Sequence, residues 1–114
     1  MNLANRLQGQ IALITGGGGE IGTAIALRLA AEGSAVVIGD LEMSKAEETA
    51  QKVIAQGGRA SATQVDVSDA ASCEAAVAFA IKSFQKLTTL VNVAATVIPD
   101  GTVETLTLEQ WNKA

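Results

Sequence analysis

The chain has 114 residues, 48% hydrophobic and 18% charged, a composition that fits one small globular domain able to bury a core. Eight basic against twelve acidic residues give a net charge of −4, so there is no basic excess to hold a nucleic-acid backbone or an anionic membrane face. Met1 to Gln10 is polar, and no apolar run approaches the roughly 18 residues that span a bilayer. Cys73, the single cysteine, excludes an internal disulfide and a multi-cysteine zinc site, so a cytoplasmic protein with no metal ligands is expected.

Ile11-Ala12-Leu13-Ile14 is a short continuous apolar run ending at glycines, as in a strand covered on both faces. Beyond the glycines Ile21, Ala24, Ile25 and Leu29 recur at helical spacing, predicting a helix that buries them and stops at Gly33. Ala35-Val36-Val37-Ile38 is a second buried strand. Ser44 with Glu47 three residues later predicts a capping box that starts a helix running to about Gln56, ahead of Gly57-Gly58. A third strand is expected from about Ala60 to Val65. The third helix then runs from about Ala70 to Phe84, capped by Ser68 or Asp69 and burying Cys73, Val77, Ala80 or Ile81, and Phe84. Thr88 to Val93 reads as a fourth strand. Thr96 to Thr105, with Pro99 beside Asp100-Gly101, reads as a loop, after which Thr107 and Gln110 cap a helix that has barely begun at Ala114.

Strands alternating with helices imply a parallel sheet with right-handed crossovers, and the turn after the first strand selects the doubly wound, Rossmann-type α/β form. That turn is Thr15-Gly16-Gly17-Gly18-Gly19-Glu20-Ile21-Gly22. Its glycines allow a sharp reversal and let a pyrophosphate approach without meeting a Cβ, while the N–H groups and positive end of the following helix receive the negative charge. Asp40 closes the second strand 18 residues after Gly22, near the roughly 20 at which an acidic residue accepts hydrogen bonds from the adenosine ribose hydroxyls. A carboxylate there repels the extra phosphate of NADP, and neither the glycine turn nor Leu41 offers a compensating cation, so NAD is the expected cofactor. The alternatives are a flexible glycine loop and a solvated or helix-capping Asp40 carboxylate.

These residues resemble the short-chain dehydrogenase/reductase family over the whole chain. The family turn is Thr-Gly-x-x-x-Gly-x-Gly, matched here by Thr15, Gly16, Ile21 and Gly22. An acidic residue follows the family's second strand, an Asp-Val pair the third and Asn-Asn-Ala-Gly the fourth; the chain offers Asp40, Asp66-Val67 and Asn92-Val93-Ala94-Ala95. The cofactor-binding set implied is Gly16, Gly18, Gly19, Glu20, Ile21, Gly22, Asp40, Leu41, Asp66, Val67, Asn92 and Ala94. By the resemblance, Asp66 would bond the adenine amino group with Val67 packed nearby, and Asn92 and Ala94 would line the cleft. From the residues alone, Asp66 could equally lead into the Ser68-Asp69 cap, and Asn92 could form a strand-end turn.

The chain departs from the family pattern in two places near the cofactor. Glu20 stands at the middle glycine and brings a side chain and a negative charge toward the pyrophosphate. A Glu suits a helix start, however, and Gly17, Gly19 and Gly22 independently keep a G-x-G-x-x-G spacing, so the turn is expected to be rebuilt and binding to survive. Val93 and Ala95 replace Asn and Gly, which narrows the cleft.

The implied activity is hydride transfer between nicotinamide and a carbonyl or alcohol. The family's catalytic tyrosine, lysine, serine and asparagine would all fall beyond Ala114, and the chain has no tyrosine, so no catalytic residue is assigned and the 114 residues alone are expected to be inactive. Cys73, on an apolar helical face, is expected to pack rather than react. The chain is therefore expected to be a single NAD(P)-binding domain, the N-terminal part of a longer family fold, with strand order 3-2-1-4. Leu90, Val91 and Val93 would then lie on an unpaired edge prone to self-association. A small alcohol or carbonyl substrate and a homo-oligomer are implied for a full-length form. The alternative is a short, non-catalytic nucleotide-binding or interaction module that uses that edge. A phosphate-binding NTPase is excluded, because no Lys followed by Ser or Thr comes after the glycines.

Overall fold

A computed structural model describes residues 5–96 and 101–113. Strands and helices alternate: β1 (Ile11–Thr15), α1 (Glu20–Ala31), β2 (Ala35–Asp40), α2 (Met43–Ala55), β3 (Ala60–Gln64), α3 (Ala70–Phe84), β4 (Thr89–Asn92) and α4 (Leu108–Lys113). The four strands form one parallel sheet in the order β3-β2-β1-β4. The α/β doubly wound architecture and the strand order expected from the sequence are both present.

Successive side chains on a strand point to opposite faces, so a continuous apolar run supplies two layers at once. On one face Ala12, Ile14, Val36 and Ile38 pack against Ala26 of α1 and Ala46, Ala50 and Val53 of α2. On the other, Leu13, Val37 and Val65 pack against Ala76 and Ala80 of α3. Central strands β1 and β2 are accordingly buried almost throughout. β4 is paired with β1 alone among the described residues, and its Leu90 is exposed.

Three helical details correct the sequence expectations. In α1 the buried residues are Gly22 and Ala26; Ile25 and Leu29 pack at the edge of the core, whereas Ile21 and Ala24 are exposed. The cause is backbone contact at Gly22, which turns the small-residue side of the helix onto the sheet. In α3 the buried pair is Ala76 and Ala80, with Cys73 and Phe84 partly covered and Val77 and Ile81 exposed. Small residues let this helix lie close to the sheet and leave its larger apolar ones at the margin. The Ser44-Glu47 capping box does not form. β2 runs on to Asp40, so only Leu41 and Glu42 remain to connect it to α2; the N-cap is Glu42 and Ser44 lies inside the helix.

Other boundaries hold. Asp69 caps α3, its carboxylate accepting the Ala71 N–H at 3.1 Å. Thr107 and Gln110 form the expected reciprocal box, with the Gln110 amide oxygen accepting the Thr107 N–H at 2.9 Å and the Thr107 hydroxyl accepting the Gln110 N–H at 3.1 Å. Pro99 and Asp100 of the expected loop lie outside the described residues. No helix among the described residues is long and apolar enough to cross a membrane.

The segment before β1 is clasped to the end of α1. Leu7 N–H donates to the Glu32 carbonyl at 2.8 Å, and the largely buried Glu32 carboxylate accepts from the guanidinium groups of both Arg6 and Arg28, the latter at 2.9 Å. Hydrogen bonds from Arg6, then from Arg28, pull the Glu32 carboxyl down to about 2. Since the folded value lies below the unfolded one of about 4.3, Glu32 stabilises the fold fully above that pH, and this contribution fades as pH falls toward 2. Thermal unfolding followed from pH 6 to pH 2 should therefore show a loss of stability below about pH 4.5. Glu32→Gln should be less stable at neutral pH and should show a shallower acid loss.

Candidate functional site

The site is built where β1 gives way to α1. Gly16 adopts φ +66°, a left-handed conformation that favours glycine, and a Cβ on it would stand 2.7 Å from the Ala94 nitrogen. The ends of β1 and β4 therefore touch through bare backbone. Thr15, nearly buried, ties the same two strands: its hydroxyl oxygen lies 3.3 and 3.4 Å from the N–H groups of Val93 and Ala94, with the Val91 carbonyl at 3.5 Å. From β1 the chain proceeds to β2 and β3 on one side and returns to β4 on the other. The crevice above the carboxyl ends of β1 and β4 is thus the topological switch point, where ligands bind in open α/β sheets.

The glycines of the turn divide by what surrounds them. A Cβ on Gly17 would lie 2.7 Å from Ile38 Cγ2 and 3.0 Å from the Ile14 carbonyl oxygen. On Gly18 it would lie 2.5 Å from Lys45 Cβ, and on Gly22 it would clash with the Gly16 carbonyl oxygen and lie 2.6 Å from Gly17 Cα. These three are glycine because the protein's own packing leaves no space. Gly19 is different. Its nearest neighbour for an added Cβ is the Gly16 carbonyl oxygen at 3.6 Å, and as N-cap of α1 it has φ −82°, open to any residue. Neither packing nor conformation calls for glycine there, yet it faces the crevice.

Asp40, at the end of β2, uses both carboxylate oxygens. Oδ2 accepts the Gly18 N–H at 3.0 Å and Oδ1 accepts the Glu42 N–H at 3.0 Å, so one side chain fixes both the turn and the start of α2. Asp66 follows β3. Its Oδ1 accepts the Ser68 hydroxyl at 2.6 Å and the Ser68 N–H at 3.0 Å, and these bonds, the hydroxyl's first, hold its carboxyl below the usual carboxylate range. Asp66 thus leads into the Ser68-Asp69 turn and also faces the cavity. Cys73 lies beneath this loop, its Sγ 3.8 and 3.7 Å from the Asp66 and Val67 carbonyl oxygens, in a packing position.

A cavity of about 1140 Å³ occupies the crevice, just above the roughly 300–1,000 Å³ range of ligand pockets and roomy enough for an extended ligand. It brings together Gly16, Gly19, Glu20, Ile21, Gly22, Asp40, Leu41, Asp66, Val67 and Ala94 of the sequence-predicted set. Gly18 and Asn92 do not line it. Gly18 is turned under Lys45 and spends its N–H on Asp40. Asn92 is exposed, and strand alternation sends it to the opposite face from Val91 and Val93, which pack on the core beside α1 and α2.

Sequence reading missed Lys45, Val65, Ser68 and Thr96, together with Leu108, Glu109, Asn112 and Lys113 at the α4 end, whereas Val93 and Ala95, expected to narrow the cleft, do line it. Lys45 is five residues past Asp40, and a helical turn after the strand was the available signal. Glu20 carries its side chain at the exposed first position of α1, so the turn accommodates it without displacing any glycine.

Over residues 10–114 the chain matches the family model described as short chain dehydrogenase. It is 47% identical over 111 residues to 2,5-dichloro-2,5-cyclohexadiene-1,4-diol dehydrogenase LinX of Sphingobium indicum, covering 97% of this chain and 44% of that protein. To cyclohexanol dehydrogenase of an Acinetobacter species it is 32% identical over 111 residues, with the same coverage of 97% and 44%. A solved short-chain dehydrogenase/reductase from Serratia marcescens superimposes with a TM-score of 0.81 at 39% identity, covering 93% of this chain and 43% of that one. The chain belongs to the short-chain dehydrogenase/reductase family. It spans less than half the length of these relatives.

The glycine geometry separates packing from ligand space. Gly22→Ala should lower stability by about 1–3 kcal/mol or more, because its contacts are backbone and cannot yield cheaply. Gly19→Ala should cost less, no more than the roughly 0.5–1 kcal/mol of a poorer N-cap. Chemical denaturation of the two variants checks both expectations.

Proposed function

We propose that this chain binds NAD in the switch-point crevice and is the cofactor-binding portion of an oxidoreductase that transfers hydride between nicotinamide and a secondary alcohol or its ketone. The observation that carries the reading is Gly19, a glycine that the fold itself does not require, at the N-cap of α1 and open to the crevice that Asp40 also lines. A diphosphate can approach that bare position and the N–H groups of the helix start, while Asp40 can exchange a backbone partner for ribose hydroxyls. In a G-x-G-x-x-G turn the second glycine admits the pyrophosphate and the third packs helix on strand; Gly19 and Gly22 have surroundings suited to those duties, while the left-handed bend itself falls at Gly16.

Bound there, the nicotinamide would supply the hydride acceptor or donor. The chain's own part would be to hold and orient it, with Asp40 and Leu41 toward the adenosine ribose, Asp66 and Val67 toward the adenine, and Ala94 and Ile21 along the cleft, all of which line the crevice. These 114 residues contain no phenol and no imidazole, and the part proposed for them is binding and orientation. The names of the Sphingobium and Acinetobacter relatives, dehydrogenases of a cyclohexadiene diol and of cyclohexanol, favour a hydroxyl on an alicyclic ring as the substrate class. A cytoplasmic setting and a homo-oligomeric full-length form complete the proposal.

Titration of the protein with NADH and NADPH, followed by nucleotide fluorescence or calorimetry, tests the reading. NADH should bind more tightly. Asp40→Ala should weaken NADH roughly tenfold or more, the worth of hydrogen bonds to a charged group, and should weaken NADPH less. A wild-type preference for NADPH would overturn the role given to Asp40. For Glu20→Gly we expect less than a tenfold change in NADH affinity; a gain of about a hundredfold or more (~2.7 kcal/mol) would instead make the native turn a defective one.

A further inference from the structure

Asp40 does not face the ribose end of the cavity alone. Gly18 has no side chain, and the first turn of α2 fills the space it leaves: a Cβ on Gly18 would stand 2.5 Å from Lys45 Cβ and 2.9 Å from Asp40 Oδ2. Lys45 is thereby fixed beside Asp40 and lines the same cavity. Its ammonium pairs with the Glu42 carboxylate at 3.1 Å, and both side chains are more than half exposed, 57% and 61%. An exposed pair of this kind contributes little, so leaving Glu42 for a stronger anion costs little. The four-carbon stem allows that movement. The charge of Asp40 itself is softened, since both of its oxygens already accept backbone N–H groups. Glu42, Asp40 and Glu48 are the acidic groups acting on Lys45.

We infer that Lys45 is a second determinant of cofactor choice, opposed to Asp40: it meets a phosphate on the adenosine 2′-oxygen and lets the protein take NADPH measurably, though less tightly than NADH. A phosphate monoester dianion outcompetes a single exposed carboxylate for the ammonium. The repulsion from Asp40 is therefore partly offset rather than absolute. The inference rests on the dinucleotide reading proposed above, and names a residue that reading does not include.

The test compares wild type, Lys45→Ala and Lys45→Arg with four probes: NADH, NADPH, 5′-AMP and adenosine 2′,5′-bisphosphate. Lys45 is an exposed helical residue, and circular dichroism of each variant checks that the fold is kept. Lys45→Ala should weaken NADPH and the bisphosphate about tenfold while changing NADH and AMP by less than twofold, and Lys45→Arg should retain most of the NADPH affinity. Added salt should weaken NADPH binding to wild type more steeply than to Lys45→Ala. Equal losses for phosphorylated and unphosphorylated probes, no change in either, or NADH binding with no detectable NADPH binding would overturn the inference and leave the dinucleotide reading standing. Failure of wild type to bind either dinucleotide would overturn both.

Discussion

The site depends on one close approach of backbone to backbone. Gly22, in the first turn of α1, lies against Gly16 and Gly17 with no room for a Cβ, and Gly16 in turn lies against Ala94 beyond β4. Through these contacts the helix start, the end of β1 and the end of β4 are drawn to one point. The crevice is what remains above that point. A methyl group at either contact would move α1 away from the sheet or β4 away from β1, and its effect would reach the core formed by Ile14, Ala26 and Ile38.

Polar groups then lock what the glycines permit. Thr15 bridges β1 to β4, and Asp40 bridges the turn to α2, each from a strand end. Both side chains use the carboxyl ends of a parallel sheet, where backbone groups leave the ladder and need partners. Thr23 adds a third tie, its hydroxyl 2.9 Å from that of buried Thr49, which joins α1 to α2 just behind the turn. The same Asp40 that rigidifies the turn is the group proposed to meet a ribose. Its bonds to Gly18 and Glu42 therefore set the orientation from which any exchange of partners begins.

The apolar face left beside β4 has a similar origin in small residues. α3 meets the sheet through Ala76 and Ala80, and this pushes Val77 and Ile81 outward, on the side of the sheet where Leu90 is also exposed. Close helix approach and marginal exposure of the larger side chains are two results of one choice of residue size.

Much of this was legible in the sequence. Two-sided burial of β1 and β2 follows from their unbroken apolar runs, the βα alternation fixes a parallel sheet, and Asp69, Thr107 and Gln110 act as the caps their chemistry announces. The membership of Gly16, Asp40, Asp66 and Ala94 in one crevice was legible too, because spacing along a doubly wound chain maps onto the carboxyl edge of its sheet. Tertiary structure decided what spacing cannot express. The rotation of α1 and α3 about their axes was set by where backbone can touch backbone, so Gly22 and Ala80 are buried while Ile21 and Ile81 are not. It removed Gly18 and Asn92 from the cavity by turning one under α2 and the other onto the far face of the sheet. It also brought Lys45 beside Asp40 through a void at Gly18. A sequence fixes which residues can bend, bury or carry charge; three-dimensional contact alone determines which of them face the same space.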